Sequence, residues 1–174
     1  TNKGLAKYDG KFITVFNQTN SDIPYTSFRN LMLDRSGYPL CTTEDNKKNY
    51  AVSRYDGKAW KSVKLTLPKA DYEVFWRSPI CLDSTNRLWI PAYNFGIVRV
   101  QDTIQENMNT TIHPDIGDLL CDKDGEMWFM YNPTPKTIAF SHFDGTKWEQ
   151  IYTPTQETLY SFILKKNKNI WACS

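Results

Sequence analysis

The sequence predicts an all-β chain, a β-propeller of four-stranded antiparallel blades, and three observations carry that prediction. A Tyr/Phe-Asp-Gly turn occurs at Tyr8-Asp9-Gly10, Tyr55-Asp56-Gly57 and Phe143-Asp144-Gly145, with a degenerate copy at Val100-Gln101-Asp102. The aspartates at 9, 56, 102 and 144 stand 47, 46 and 42 residues apart. A second signature keeps the same period. It is an Asp-x-x-Gly/Asn turn followed by an apolar residue: Asp34-Gly37-Leu40, Asp83-Asn86-Trp89, Asp122-Gly125-Trp128 and a worn copy, Lys165-Lys168-Trp171. The segments between the turns are short, rich in β-branched and aromatic residues, and show no helical period. Self-similarity at a period in the forties, with several strands per unit, is the mark of a propeller.

Each repeat divides into four strands, A to D. Strand A precedes the Asp-x-x-Gly turn: 29–33, 78–82, 117–121 and 160–164. Strand B follows it: 38–42, 88–92, 127–131 and 169–173. Strand C leads into the Asp-Gly turn: 5–8, 52–55, 97–100 and 139–143. Strand D leaves it: 12–16, 60–65, 104–108 and 148–152. Asp-Gly and Asp-x-x-Gly supply the positive φ angles and local hydrogen bonds that close such hairpins. Trp89, Trp128 and Trp171 after the second turn are expected to pack between neighbouring blades. The single domain 1–174 therefore reads as strands C–D in 1–27, full A–D repeats in 28–74, 75–114 and 115–157, and strands A–B in 158–174. Pairing the two half-repeats gives a closed four-bladed ring. The rival readings are a fragment of a larger propeller and an assembly, a homodimer, that completes one ring.

Composition narrows the partners. A formal charge of +2 is too small for a nucleic-acid or polyanion partner. No stretch reaches the ~20 apolar residues of a membrane span. Of the two histidines, His113 lies in a loop and His142 in strand C, and neither has metal-ligand spacing, so no metal or cofactor is expected. No nucleophile elbow, phosphate loop or thiol–histidine signature is present. The four cysteines at 41, 81, 121 and 173 read as buried thiols. Cys81 and Cys121 sit in corresponding strands of successive blades, a placement expected to exceed the ~7 Å Cα limit of a disulfide.

The repeats resemble the two-component regulator propeller family. Gly4-Leu5-Ala6-Lys7-Tyr8-Asp9-Gly10 and Ser53-Arg54-Tyr55-Asp56-Gly57-Lys58-Ala59-Trp60 match the first half of its unit. Asp83-Ser84-Thr85-Asn86-Arg87-Leu88-Trp89-Ile90 and Asp122-Lys123-Asp124-Gly125-Glu126-Met127-Trp128 match the second. Pro91-Ala92 and Leu40 depart from the pattern. The resemblance implies an extracytoplasmic sensor region of a bacterial signalling protein, periplasmic or at the cell surface, without enzymatic activity. It implies an oligosaccharide or other small ligand and a signalling kinase region elsewhere in the parent protein. A protein–protein scaffold is the alternative, and a carbohydrate-active hydrolase or lyase a further one. Asp115 and Asp118 with Glu157 are the carboxylates such an enzyme would draw on.

Loops locate the expected ligand. The A–B and C–D connections are tight and share one face, whereas the D–A and B–C connections are expected to be long and to form the other. Functional residues concentrate on loops carried by a rigid scaffold. The loops and strand ends of that second face hold Tyr25, Trp76, Tyr93 and Tyr131, aromatics that stack on sugar rings. Arg29, Arg77 and Asp115, where strand A begins, add polar contacts at the mouth of the channel. Each of these residues also has a plain packing role open to it.

Overall fold

The computed structural model describes residues 4–67, 80–92, 96–108, 116–122, 124–134, 137–153, 161–164 and 169–173. Among them the regular structure is entirely β. The strands are β1 (Leu5–Tyr8), β2 (Ile13–Phe16), β3 (Ser27–Leu33), β4 (Pro39–Glu44), β5 (Tyr50–Tyr55), β6 (Trp60–Leu65), β7 (Cys81–Leu82) and β8 (Leu88–Ala92), then β9 (Gly96–Gln101), β10 (Ile104–Met108), β11 (Ile116–Cys121), β12 (Met127–Thr134), β13 (Thr137–Phe143), β14 (Trp148–Thr153), β15 (Ser161–Leu164) and β16 (Ile170–Cys173). Three sheets have four strands, in the orders β3-β4-β5-β6, β7-β8-β9-β10 and β11-β12-β13-β14. Two have two strands, β1-β2 and β15-β16. The A-to-D order read from the repeats is the order observed.

The chain divides into two compact units. One comprises Thr1–Asp71 with Asp102–Gln105, and the other Tyr72–Gln101 with Glu106–Ser174. The core of the first holds Ile23, Cys41 and Trp60, with Phe16 from the β1-β2 hairpin set edge-on to Trp60 at 5.9 Å. In the second, Trp89, Leu119, Met127, Phe129 and Tyr131 form one cluster, and Trp128, Phe140 and Phe162 another. Trp89 reaches from β8 to Phe143 of the following sheet, 5.5 Å between ring centres. The post-turn tryptophan does pack between sheets there. In this unit the first strands β7, β11 and β15 lie side by side.

The turns show why the repeat needs aspartate. In the Asp-x-x-Gly turn one carboxylate oxygen accepts two main-chain N–H groups. Asp34 takes them from Ser36 and Tyr38 at 2.8 and 2.9 Å, and Asp122 from Asp124 and Glu126 at 2.9 and 3.0 Å. The fourth residue turns left-handed, as Gly37 (φ 82°), Asn86 (φ 66°) or Gly125 (φ 85°). In the Asp-Gly turn the two donors are the residues two and three positions on. The N–H groups of Ala59 and then Lys58, at 2.9 Å each, hold Asp56 well below the usual carboxylate range. Asp102 (φ 50°) supplies the left-handed residue of the third copy, which has no glycine in its turn. Asparagine and aspartate tolerate the left-handed region best after glycine.

Two expectations are corrected here. The B–C connections are not long loops. Residues 45–49 form another five-residue aspartate turn. Lys47 and Asn49 donate to Asp45 at 2.8 and 2.9 Å, and Lys48 is left-handed (φ 61°). Only residues 135–136 separate β12 from β13. The second correction concerns the cysteines. Cys81 and Cys121 form a disulfide, with Cα atoms 5.7 Å apart. Cys81 lies two residues before its turn aspartate and Cys121 one before its own. Side chains alternate along a strand, so that one-residue offset turns the two sulfurs toward each other across adjacent first strands. Cys41 is a buried thiol and Cys173 an exposed one. Burial pushes the Cys41 thiol up to about 12. Iodoacetamide is therefore expected to alkylate Cys173 in the native protein and Cys41 only after unfolding, checked by peptide mass mapping.

Candidate functional site

A polar cluster forms where β3 begins, and a bulge builds it. Phe28 pairs with Thr43 and Leu31 with Cys41, so Arg29 and Asn30 together oppose Thr42. A bulge re-aims the side chains beside it. Asn30 settles its part by donating from both its main-chain N–H and its Nδ2 to the Thr42 hydroxyl, at 3.2 and 3.1 Å. Arg29 reaches along β4 to Glu44. Its Nε donates to Glu44 Oε1 at 2.8 Å, and its terminal nitrogen shares the same oxygen.

The two partners differ in exposure. The Glu44 side chain is 6% exposed, whereas Arg29 is 29% exposed. Glu44 Oε2 is buried and has no hydrogen-bond partner among the described residues. A buried acceptor left without a donor costs about 1–3 kcal/mol. Beside this pair, Asp45 anchors the turn into β5. Burial opposes its charge, but hydrogen bonds from the Asn49 side chain, the Asn49 N–H and the Lys47 N–H outweigh it, and its carboxyl lies below the ordinary value. Tyr25, two residues before β3, is half-buried. Burial first, and the Asp45 charge second, raise its hydroxyl above the ordinary value. Tyr25, Arg29, Glu44 and Asp45 thus join an aromatic ring, a guanidinium and two carboxylates at one end of one sheet.

The sequence-predicted residues divide three ways. Arg29 and Tyr25 belong to this cluster. Tyr131 is a correction: it is 1% exposed, its ring packed 5.6 Å from Phe129 in the core, because β12 has a sheet on each side of it. Trp76, Arg77, Tyr93 and Asp115 lie outside the described residues, as do His113 and Glu157. Asp118 serves structure, accepting from the Ser161 hydroxyl at 2.7 Å and the Phe162 N–H at 3.1 Å. His142 stacks on Trp128 at 4.1 Å, with its Nε2 2.8 Å from Glu126. Glu44 was not foreseen. Its signal was present, since a glutamate closing a wholly buried strand, Leu40-Cys41-Thr42-Thr43-Glu44, requires a partner.

A concavity of the first unit lies beside its tight turns, with Tyr8, Tyr38 and Gly57 in its lining. It has a volume of about 530 Å³ and is lined by Leu5, Lys7 and Tyr8 of β1, Leu31 of β3, and Tyr38 and Tyr55. The sequence placed the aromatic concavity on the opposite face.

These elements define a class, an all-β chain of repeated four-stranded antiparallel sheets joined by aspartate turns. No family model matches the chain, and no curated protein matches it. Among solved structures it is similar to the extracellular domain of a protein described as a hybrid two-component system of B. thetaiotaomicron. The TM-score is 0.38 and the identity 16%, over 98% of this chain and 31% of that one. This chain therefore spans about a third of that domain's length. Among the described residues no helix is long and apolar enough to cross a membrane.

Proposed function

We propose that the chain is a non-catalytic, propeller-type binding module that serves as the extracytoplasmic ligand-sensing part of a bacterial two-component-type system, with an oligosaccharide as its ligand. The observation that carries the ligand site is Glu44. Arg29 fixes one carboxylate oxygen, and the other is buried without a donor among the described residues. A sugar hydroxyl supplies that donor and recovers the cost of the unmade bond. Tyr25 offers a ring face beside it. The partly exposed Arg29 marks the side from which the ligand arrives. The Cys81–Cys121 disulfide supports an oxidising compartment outside the cytoplasm. The tandem four-stranded sheets with adjacent first strands support the propeller, and the repeat resemblance supports the sensing role. A signalling kinase region in the parent protein is the downstream partner this role requires.

The test is calorimetric titration against a panel of neutral and acidic oligosaccharides. Wild-type protein is expected to bind one glycan class. Glu44→Gln and Arg29→Ala are each expected to weaken Kd at least tenfold, about 1.4 kcal/mol, with the melt retained. A panel without a binder, or an affinity unchanged in both variants, overturns the proposal. Incubation with the bound glycan is expected to release no new reducing ends.

A further inference from the structure

The turn between β4 and β5 carries a residue that its shape disfavours. Among the described residues four aspartate turns share one main-chain form, Asp34–Tyr38, Asp45–Asn49, Asp83–Arg87 and Asp122–Glu126. Three put Gly37, Asn86 or Gly125 in the left-handed place, and the fourth puts Lys48 there, at φ 61°. A residue with a Cβ is strained in that region, and asparagine and aspartate bear it best after glycine. Asn46 and Asn49 stand in the same turn, yet a lysine fills the strained position. Backbone strain of this kind gathers at ligand clamps, so the outlier points to a use for the side chain.

The place of the turn narrows that use. It lies wholly within the first unit, at the end of the sheet that holds Arg29 and Glu44. Ser27 pairs with Glu44, so the chain leading into β3 brings Tyr25 level with the turn, where the Asp45 charge acts on its hydroxyl. Both anions of the cluster are already engaged. Arg29 holds Glu44 Oε1. Asp45 accepts from the N–H groups of Lys47 and Asn49 and, at 2.8 Å, from Asn49 Nδ2. Lys47 and Lys48 are exposed. Arg29, Lys47 and Lys48 against Glu44 and Asp45 leave the cluster with an excess of positive charge on its solvent side.

We propose that this end of the sheet selects an anionic oligosaccharide, with Lys47 and Lys48 receiving a sugar carboxylate or sulfate while Glu44 Oε2 accepts a hydroxyl of the same chain. This inference rests on the binding site proposed above and adds the charge class of its ligand. Ammonium-to-oxyanion hydrogen bonds are roughly twice as strong as neutral ones, and lysine offers a compact charge with three donors. A neutral glycan uses Tyr25 and Glu44 and leaves both lysines idle. A cationic amino sugar meets the lysines as like charges.

Calorimetric titration of the whole chain with paired oligosaccharides tests the proposal. Oligogalacturonate, oligomannuronate and hyaluronan oligosaccharides are each set against their carboxyl-reduced forms, and a carrageenan oligosaccharide against its desulfated form. In at least one pair the charged member is expected to bind about tenfold tighter, about 1.4 kcal/mol, and the pair that does so names the anion. That preference is expected to shrink as NaCl rises from about 50 to about 500 mM. Lys48→Gly is the decisive variant. It is expected to weaken binding of the charged member about fivefold, the upper range for one exposed ion pair, and to raise Tm by about 2–4 °C as the strain is relieved. Lys47→Met is expected to weaken the same binding with Tm unchanged. Equal affinity within every pair, or a charge preference that survives both variants, overturns the proposal and leaves the Glu44 site standing. A panel in which no member binds, charged or neutral, overturns the site and this inference together.

Discussion

Asp83→Asn is expected to destabilise the protein by about 3–5 kcal/mol, the range for removing one partner of a buried charged network. Asp83 is 0% exposed. Its Oδ1 accepts from the Thr85 N–H and hydroxyl at 2.9 and 2.8 Å and from the Arg87 N–H at 3.0 Å. Its Oδ2 accepts from Arg87 Nε at 2.6 Å and from the Trp89 indole at 2.9 Å. An amide at this site sets a donor against two donors and leaves a buried indole N–H unanswered. Asp34→Asn is the control. It has the same turn, but the carboxylate oxygen that anchors it accepts only main-chain N–H groups, which an amide oxygen accepts equally well. It is expected to cost about 1 kcal/mol. At ~2–4 °C per kcal/mol for a chain of this size, Asp83→Asn lowers Tm by about 10 °C and the control by a few degrees. Equal losses in the two variants would sink the argument. Acid gives a second readout. Burial opposes the Asp83 charge, but the indole, Thr85 and Arg87 bonds outweigh it, and its carboxyl lies below the ordinary 3.8. The ionised network contributes fully above that value and is lost as pH falls through the lower folded-state one. Wild type is therefore expected to lose stability below about pH 4, and Asp83→Asn to lose less of it there.

Reduction of the Cys81–Cys121 bond is the second large effect. The bond closes a span of 40 residues between adjacent first strands. Loop-closure entropy for that length is worth about 4 kcal/mol, or roughly 10 °C in Tm. Adding a phosphine reductant is expected to lower the wild-type Tm by that amount and to leave Cys81→Ala/Cys121→Ala unchanged. Thiol titration of unfolded, unreduced protein is expected to find two groups, Cys41 and Cys173, and four after reduction. Four thiols before reduction would refute the bond and remove the physical support for an oxidising compartment.

The repeats were legible in sequence because turns are local. Asp9, Asp34, Asp56, Asp83, Asp122 and Asp144 each take main-chain N–H groups from within four residues, so spacing alone revealed the hairpins and the strand order. What escaped depended on neighbours distant in sequence. The disulfide turns on a one-residue offset between strands forty residues apart, visible only once adjacent first strands are placed. Tyr131 looked like a loop-edge aromatic, but β12 runs on to Thr134 and places its ring in the core. Arg29 was legible as a strand-start charge. That Glu44 needs a partner was legible from its place at the end of an apolar strand, but its pairing with Arg29 was not, because the bulge that brings them together leaves no period in the sequence. Lys48 hid its turn by standing where glycine or asparagine is expected.

That last turn has a consequence for divergence. Asp34–Tyr38, Asp45–Asn49, Asp83–Arg87 and Asp122–Glu126 spell one main-chain shape in four ways. Each keeps the leading acceptor, and the left-handed place is held by glycine, lysine or asparagine, at about 1–2 kcal/mol for a residue with a side chain. Only the first letter is constrained by the shape itself. The other positions can be rewritten at small cost to folding, so each hairpin tip is a site where natural variants can change what the molecule presents to a partner while its architecture stays fixed.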